Sequence, residues 1–393
     1  MSKHKLKFYP VGNGDQTLIR LKDLTTILID CNIRQGEEDN NGNKIFDVKN
    51  DLLNSISTRD GNPFIDVFVL THGDQDHCRG FKVNFYLGNP NIYKKENKER
   101  DEIIIDEMWF SPMIAEKHTN DDEDAYQKEA ERRIALHQRN SIDKDIAGNR
   151  IRIIGYDGNT DYSGLNHLRS IPGDIVKVFN QKEKTDFSMF IHSPFKEQLT
   201  DEEKDKNYTS IVLQARFKNN AAENDFKCLL MLGGDADHYA WKMILDKTRK
   251  YNNQLNHKAL NWDIFLAPHH CSWTFFNDTP REENVEPKES SLAILDYKRT
   301  GGIVIASSKK IINNEDNPPH YEAKSEYLKK LTKSTDFLNT SIEPTEKEPE
   351  PIEFEIDANG IHRLATNTKQ SENKIKAAAT VSASSIIQKP WCE

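Results

Sequence analysis

The 393 residues read as a layered α/β fold, on three observations. Short apolar runs of strand length recur along the chain, segments with apolar residues at helical spacing follow several of them, and four runs end in a side chain that can bind a metal. In such folds the loops beyond strand ends gather at one edge and build sites there.

Taken in order, residues 1–35 predict a β-hairpin or meander. Leu6, Phe8 and Val11 form one run, residues 17–21 a second and residues 25–29 a third, with Gly12, Asn13 and Gly14 making the break. Val48, Leu52, Leu53 and Ile56 predict a helix over 46–57, which leads into an apolar strand over 65–70. Residues 91–205 are charge-rich and read as an insertion elaborating a core. It holds an amphipathic helix over 121–140, with Tyr126, Ala130 and Ile134 on one side, and short strands such as 150–154. Strand signals return at 211–215, 228–232, 264–267 and 303–306, with helices over 239–247 and 323–331. Residues 340–352 form a Pro- and Glu-rich loop, and residues 366–393 read as a flexible tail or partner-binding arm.

At 36% hydrophobic and 30% charged residues, the chain has material for one large core. No run approaches the roughly 20 apolar residues that span a bilayer, and the N-terminus lacks a signal-peptide core, so the expectation is a cytoplasmic protein without membrane contact. Five cysteines without a C-x-x-C pair argue for reduced thiols. A net charge of −9 argues against a broad duplex-DNA footprint, although a local metal pair can reverse the potential inside one cleft.

The four strand-ending side chains are Asp30, His72, Asp235 and His269. The densest signal is Thr71-His72-Gly73-Asp74-Gln75-Asp76-His77, with four ligand-type side chains within six residues directly after a strand. Carboxylate and imidazole are the donors that zinc, manganese or iron take, and such density on one loop can serve two ions. The bland alternative is a polar surface loop.

This segment resembles the metallo-β-lactamase superfamily signature H-x-H-x-D-H. With Asp74 in the second histidine position, it is similar to the metallo-hydrolase domain of ComEC-type DNA-uptake proteins and their free-standing relatives. Val11-Gly12-Asn13-Gly14-Asp15 is similar to V-G-Q-G-D, and Ile29-Asp30-Cys31 to a strand-ending D-x-G. Ser193-Pro194 and the segment from Asn207 to Leu213 resemble S-P and N-x-x-S-x-V-L. Gly234-Asp235-Ala236 resembles G-D-A, His269-His270-Cys271-Ser272 resembles H-H-G-S with Cys for Gly, and Asn317-Pro318-Pro319-His320 is a loose N-x-x-H-P.

The resemblance covers residues 5–365. It implies an αββα sandwich, two packed mixed sheets with helices on the outer faces, in a hydrolase domain spanning 1–365. It also implies two divalent ions, zinc or manganese: His72 and Asp74 on the first, Asp76, His77 and His269 on the second, and Asp235 bridging. The superfamily's third-motif histidine has no clear counterpart; His192 lies in the right part of the chain.

Other residues carry two readings each. His270 and His320 are candidate general acids or substrate ligands, or they pack beside the ligands. Asp237-His238 reads as a helix start. Asp15 and Asp30 read as orienting loops and histidines, and Ser272 as packing or a phosphate contact. Cys78 and Cys271 read as inert, and Trp109-Phe110 and Trp273-Phe275-Phe276 as core or base-stacking surface.

Two ions about 3.5 to 4 Å apart share a water, lower its pKa and aim the hydroxide at an electrophile. The expected function is therefore a metal-dependent phosphodiesterase or nuclease acting on single-stranded nucleic acid or a nucleotide, with Asp76, His270 and His320 in the catalytic set. The alternatives are hydrolysis of a lactam, thioester or lactone, and a partner-gated subunit of a bacterial defence assembly that docks protein through the insertion or tail.

Overall fold

The computed structural model describes residues 2–114, 120–157, 162–200, 206–250, 258–283, 285–314 and 318–365, so the tail expected over 366–393 lies outside the described residues. The chain is a mixed α/β protein with two large mixed sheets. The first runs in the order Gly360–Arg363, Ile352–Asp357, His4–Phe8, Thr17–Arg20, Thr26–Ile29, Asn62–Val69, Ile103–Phe110, Arg150–Ile154, Arg169–Ser170. The second runs Ile175–Val176, Phe187–Ser193, Val212–Phe217, Cys228–Leu232, Trp262–Leu266, Lys298–Ala306, Phe337–Asn339.

Side chains alternate along each strand, so each sheet has two faces to cover. One buried cluster takes Leu6, Phe8, Val67 and Val69 from the first sheet and Ile191, Leu213, Leu230 and Ile264 from the second, which packs the sheets face to face. Leu28, Phe68 and Met108 point the other way, onto Leu52, Phe81 and the Tyr126, Ala130, Ile134 stripe of helix Asp121–Gln138. Met231, Phe265 and Val304 likewise meet Trp241, Ile244 and Tyr327 of helices His238–Lys250 and Tyr321–Lys330. Among the described residues no helix is long and apolar enough to cross a membrane.

Within the stretch 91–205, described strands enter both sheets. Ile103–Phe110 is buried along its whole length between Asn62–Val69 and Arg150–Ile154, and Phe187–Ser193 is buried in the second sheet. Asp106 and Glu107 give Ile103–Phe110 a charged look, yet both carboxylates are buried because Arg59, Asn180 and the Trp109 indole hydrogen-bond them.

The strand ends place the site. Ile29 pairs with Val69, and Leu232 with Leu266, in parallel register, so Asp30 and His72 leave one sheet edge together and Asp235 and His269 the other. The backbone joins the two edges through Ile211 N to Thr71 O at 2.9 Å, and within the second edge His269 N donates to Gly234 O at 3.1 Å.

Candidate metal centre

After Thr71 the chain turns sharply, and Asp74 opens the single helical turn Gln75–Cys78, with His77 N donating to Asp74 O at 2.9 Å. A Cβ at Gly73 would lie 2.0 Å from Glu123 Oε1, so a larger residue there displaces the Glu123 side chain. Asn120 Nδ2 donates to Gly73 O, and Asp122 accepts from Gln75 Nε2, so the start of helix Asp121–Gln138 holds the loop. Gly14 is required: its N lies 3.1 Å from His270 Nδ1, and a Cβ would fall 2.5 Å from Asp76 O.

Four imidazoles converge on the Asp235 carboxylate. His77 Nε2 and His270 Nε2 lie 3.0 and 3.7 Å from Oδ1; His72 Nε2 and His269 Nε2 lie 3.4 and 3.7 Å from Oδ2. Each ring is fixed through its other nitrogen. His77 Nδ1 meets Asp30 Oδ2 at 2.8 Å, His269 Nδ1 meets Thr274 Oγ1 at 3.0 Å, His72 Nδ1 meets Thr71 Oγ1 at 3.2 Å, and His270 Nδ1 meets Ser307 O at 3.1 Å. An imidazole so held presents Nε2 in a set direction, the arrangement that metal-binding histidines need. Asp74 Oδ2 stands 3.7 Å from His72 Nε2 on one side, and Asp76 Oδ2 stands 3.1 Å from His270 Nε2 on the other.

Buried polar atoms here lack the partners such atoms normally find. His72 Nε2, Asp235 Oδ1 and Asp15 Oδ1 are buried without a hydrogen bond of proper geometry. Protons fill part of the deficit. Burial opposes charge on His77, but Asp235 and Asp30 raise its pKa well above 6.5; burial also opposes charge on His270, which Asp235, Asp15 and Asp76 push up to about 10. Although burial disfavours its charge, the surrounding imidazoles hold Asp235 well below the usual carboxylate range. His269 shifts the other way, because its burial outweighs Asp235. The donor set is therefore imidazole nitrogens and carboxylate oxygens whose hydrogen bonding depends on protons taken up by the histidines, a set that fits divalent cations. Two groups sharing Asp235, one of His77, His270 and Asp15, the other of His72 and Asp74, each bring ligand atoms within 4.8 Å of one another, and the buried Asp/His cluster could hold a metal ion.

All six residues expected as ligands, His72, Asp74, Asp76, His77, Asp235 and His269, come together, but the two histidines of the His-His pair exchange sides. His269 shares Asp235 Oδ2 with His72, and His270, expected as acid or packing residue, stands with His77 and Asp76. The cause is a turn of three consecutive left-handed residues, His269 (φ 49°), His270 (φ 54°) and Cys271 (φ 68°). Left-handed conformations cost about 1–2 kcal/mol per residue for side chains other than glycine, and here they aim both imidazoles inward. Cys271 occupies the position where the resemblance expects glycine, and its positive φ shows why glycine suits it.

His192 is not a ligand on the first side; its Nε2 meets Ala259 O at 2.9 Å, and burial lowers its pKa to about 3. Asp30 does orient His77, whereas Asp15 joins the cluster itself. His320 starts helix Tyr321–Lys330 beside the left-handed turn: its N–H donates to Cys271 O, and its Nδ1 accepts from Trp273 N at 3.0 Å. Ser272 Oγ accepts from Thr274 N and Thr274 Oγ1, so it supports the threonine that fixes His269. Asp237 caps its helix by accepting from Ala240 N. Burial pushes the Cys78 and Cys271 thiols up, as inert packing requires, and Trp109, Phe110, Trp273, Phe275 and Phe276 are core.

Sequence reasoning missed Thr274, Ser307 and the backbone of Gly14 as supports; only the Asp15-bearing turn carried a signal. Set against known proteins, the chain matches no family model and no curated protein.

Proposed function

We propose that the chain is a metal-dependent hydrolase with a metallo-β-lactamase-type sandwich, and that it cleaves phosphodiesters. The observation that carries this reading is the Asp235 carboxylate with two imidazole nitrogens on each oxygen, the arrangement of a ligand bridging two cations. His72, Asp74 and His269 would hold one ion on the Oδ2 side; His77, His270 and Asp76 would hold the other on the Oδ1 side. Four carboxylates, counting Asp15, make the donor set harder than an all-histidine one and favour manganese alongside zinc. Bound there, such a pair lowers the pKa of water toward neutrality and neutralises negative charge on an electrophile.

The chain's own residues supply the rest. Asp74, Asp76 and His269 have side chains 22, 30 and 23% exposed, while His77, His270 and Asp235 are buried, so substrate meets the former set. The His320 Nδ1 lone pair is taken by Trp273 N, which leaves the proton of the neutral ring on Nε2. We assign His320 as the donor to the departing oxygen, and His270 as a ligand.

A phosphodiester is favoured over a carbonyl substrate by the charge beside the ligand loop. Ile33 N donates to Arg79 O, which brings Arg34 beside Arg79, two residues after His77, and neither guanidinium forms an ion pair among the described residues. Arg34 lines a cleft of about 660 Å³ together with Gly12, Lys309 and Lys310, and with the carboxylates of Glu38, Asp39 and Glu346. Guanidinium groups pair bidentately with phosphate oxygens, a stronger interaction than a hydrogen bond to a neutral lactam or lactone carbonyl.

The test is elemental analysis followed by hydrolysis of bis-p-nitrophenyl phosphate, labelled single-stranded DNA and nitrocefin by the wild type and Asp76→Ala. Two ions per chain, cleavage of the first two substrates and loss in the variant are expected. Cleavage of nitrocefin alone, or a protein that binds neither manganese nor zinc, overturns the reading.

A further inference from the structure

Arg216 is a buried cation without a counter-ion among the described residues. It lies on strand Val212–Phe217, 2% exposed, and its side chain leaves the outer face of the second sheet, opposite the Leu213, Ala215 and Phe217 core face. Nε donates to Gln214 Oε1 at 2.6 Å, and Gln214 is held in turn through Nε2 by the carbonyls of Lys258 and Asn261. The guanidinium sits over Phe190 and Phe226, with ring centroids 4.7 and 5.6 Å away. Nη2 is buried with no hydrogen bond, and among the described residues no carboxylate pairs with it. An uncompensated buried charge is destabilising, and two aromatic faces offset that only in part.

The guanidinium opens onto a cavity of about 380 Å³. Ser188, directly opposite Arg216 in the strand register, and Lys218, whose ammonium lies over the same Phe226 ring at 5.5 Å, line it as well. Of its two carboxylates, Asp186 is engaged by Lys22 and His4, and Glu183 is exposed. A guanidinium fixed by Gln214, a facing hydroxyl and a nearby ammonium are the three donors that an oxyanion takes.

We infer that this cavity is a binding site for a small oxyanion of phosphate or carboxylate type, held by Arg216, Ser188 and Lys218. It is separate from the metal centre. Val212–Phe217 reaches the ligand edge at Ser210 and Ile211, and six residues of strand put Arg216 on the order of 20 Å from that edge. An anion bound there compensates Arg216 and clamps Phe187–Ser193 to Val212–Phe217 through their cross-strand pair.

Thermal denaturation of wild type and Arg216→Met, both metal-loaded, tests this at matched ionic strength in sodium chloride, inorganic phosphate and succinate. Without an oxyanion, Arg216→Met is expected to melt no lower than wild type, since the variant removes a bare buried charge. With millimolar phosphate or succinate the order reverses, because only wild type gains the anion; whichever of the two acts at lower concentration identifies the source. Anion binding at the metals is common to both proteins and cancels in the comparison. Lys218→Met, a half-buried position that cannot threaten the fold, is expected to raise the concentration for half-maximal stabilisation about tenfold. An Arg216→Met protein less stable than wild type by the same margin in every salt, with Lys218→Met responding like wild type, overturns the proposal.

Discussion

Asp66, Asp106 and Glu107 form a second buried carboxylate cluster on the sheet that carries the ligand loop, and its hydrogen bonding differs from that around Asp235. Arg59 grips Asp106 with both Nη atoms, at 2.5 and 3.0 Å, and Asn180 Nδ2 donates to Asp66 and Asp106 at 2.8 Å each. Thr26 N completes Asp66, and Asn180 N with the Trp109 indole completes Glu107. Every one of these carboxylates faces N–H groups, so the cluster is closed and pins the hairpin of Val178–Phe179 and Lys182–Glu183 to the sheet. Around Asp235 the same residue type faces imidazole Nε2 atoms, which offer a proton only when the ring spends one. The contrast teaches that burial of carboxylates alone does not mark a site; what marks it is a neighbour set that no protein donor satisfies.

Substitutions separate the two clusters. Asp235→Asn is expected to have the largest effect: both ions are lost together in elemental analysis, and bis-p-nitrophenyl phosphate turnover drops by more than about a hundredfold, beyond what loss of a ligand's support produces. Retention of one ion at full affinity would break the bridging assignment. Asp30→Asn disturbs the group behind His77 and the partner of Thr71, whose hydroxyl fixes His72, and is expected to weaken both metal-binding steps, the His77 step more, roughly 10- to 100-fold in calorimetric titration.

The pH response is the next test. In the metal-free protein the His270 pKa is raised from 6.5 to about 10, so its interactions with Asp235, Asp15 and Asp76 contribute stability that is complete below about pH 6.5 and is lost as pH rises toward 10. Metal affinity runs the opposite way, because the cations displace those protons and bind more tightly as pH rises. Denaturant midpoints without metal should therefore fall, and manganese affinity should rise, between pH 6.5 and 9.5; parallel trends would contradict the proton-filled centre. Asp106→Ala should leave metal content and turnover unchanged while costing about 2 kcal/mol of stability in urea denaturation, since it strips partners from Asn180 and Arg59.

Much of the centre was legible because its residues sit in tandem: His72, Asp74, Asp76 and His77 follow one strand directly, and apolar runs point to Asp235 and His269. The αβ layering was legible for the same reason, as the runs at 65–70, 228–232 and 264–267 all became strands. Ile103–Phe110 was obscured by Asp106 and Glu107, whose charge reads as surface until Arg59 and Asn180, far away in sequence, are seen to neutralise it.

By itself the sequence determined which side chains are available as ligands and which strands deliver them, because periodicity and tandem spacing are local properties of the chain. Only the tertiary structure decided that His269 joins His72 and His270 joins His77, since three left-handed residues set those directions and side-chain identity does not encode backbone sign outside glycine. The same holds for Arg216, an ordinary basic residue in a strand until the fold surrounds it with aromatic rings and, among the described residues, pairs it with no carboxylate.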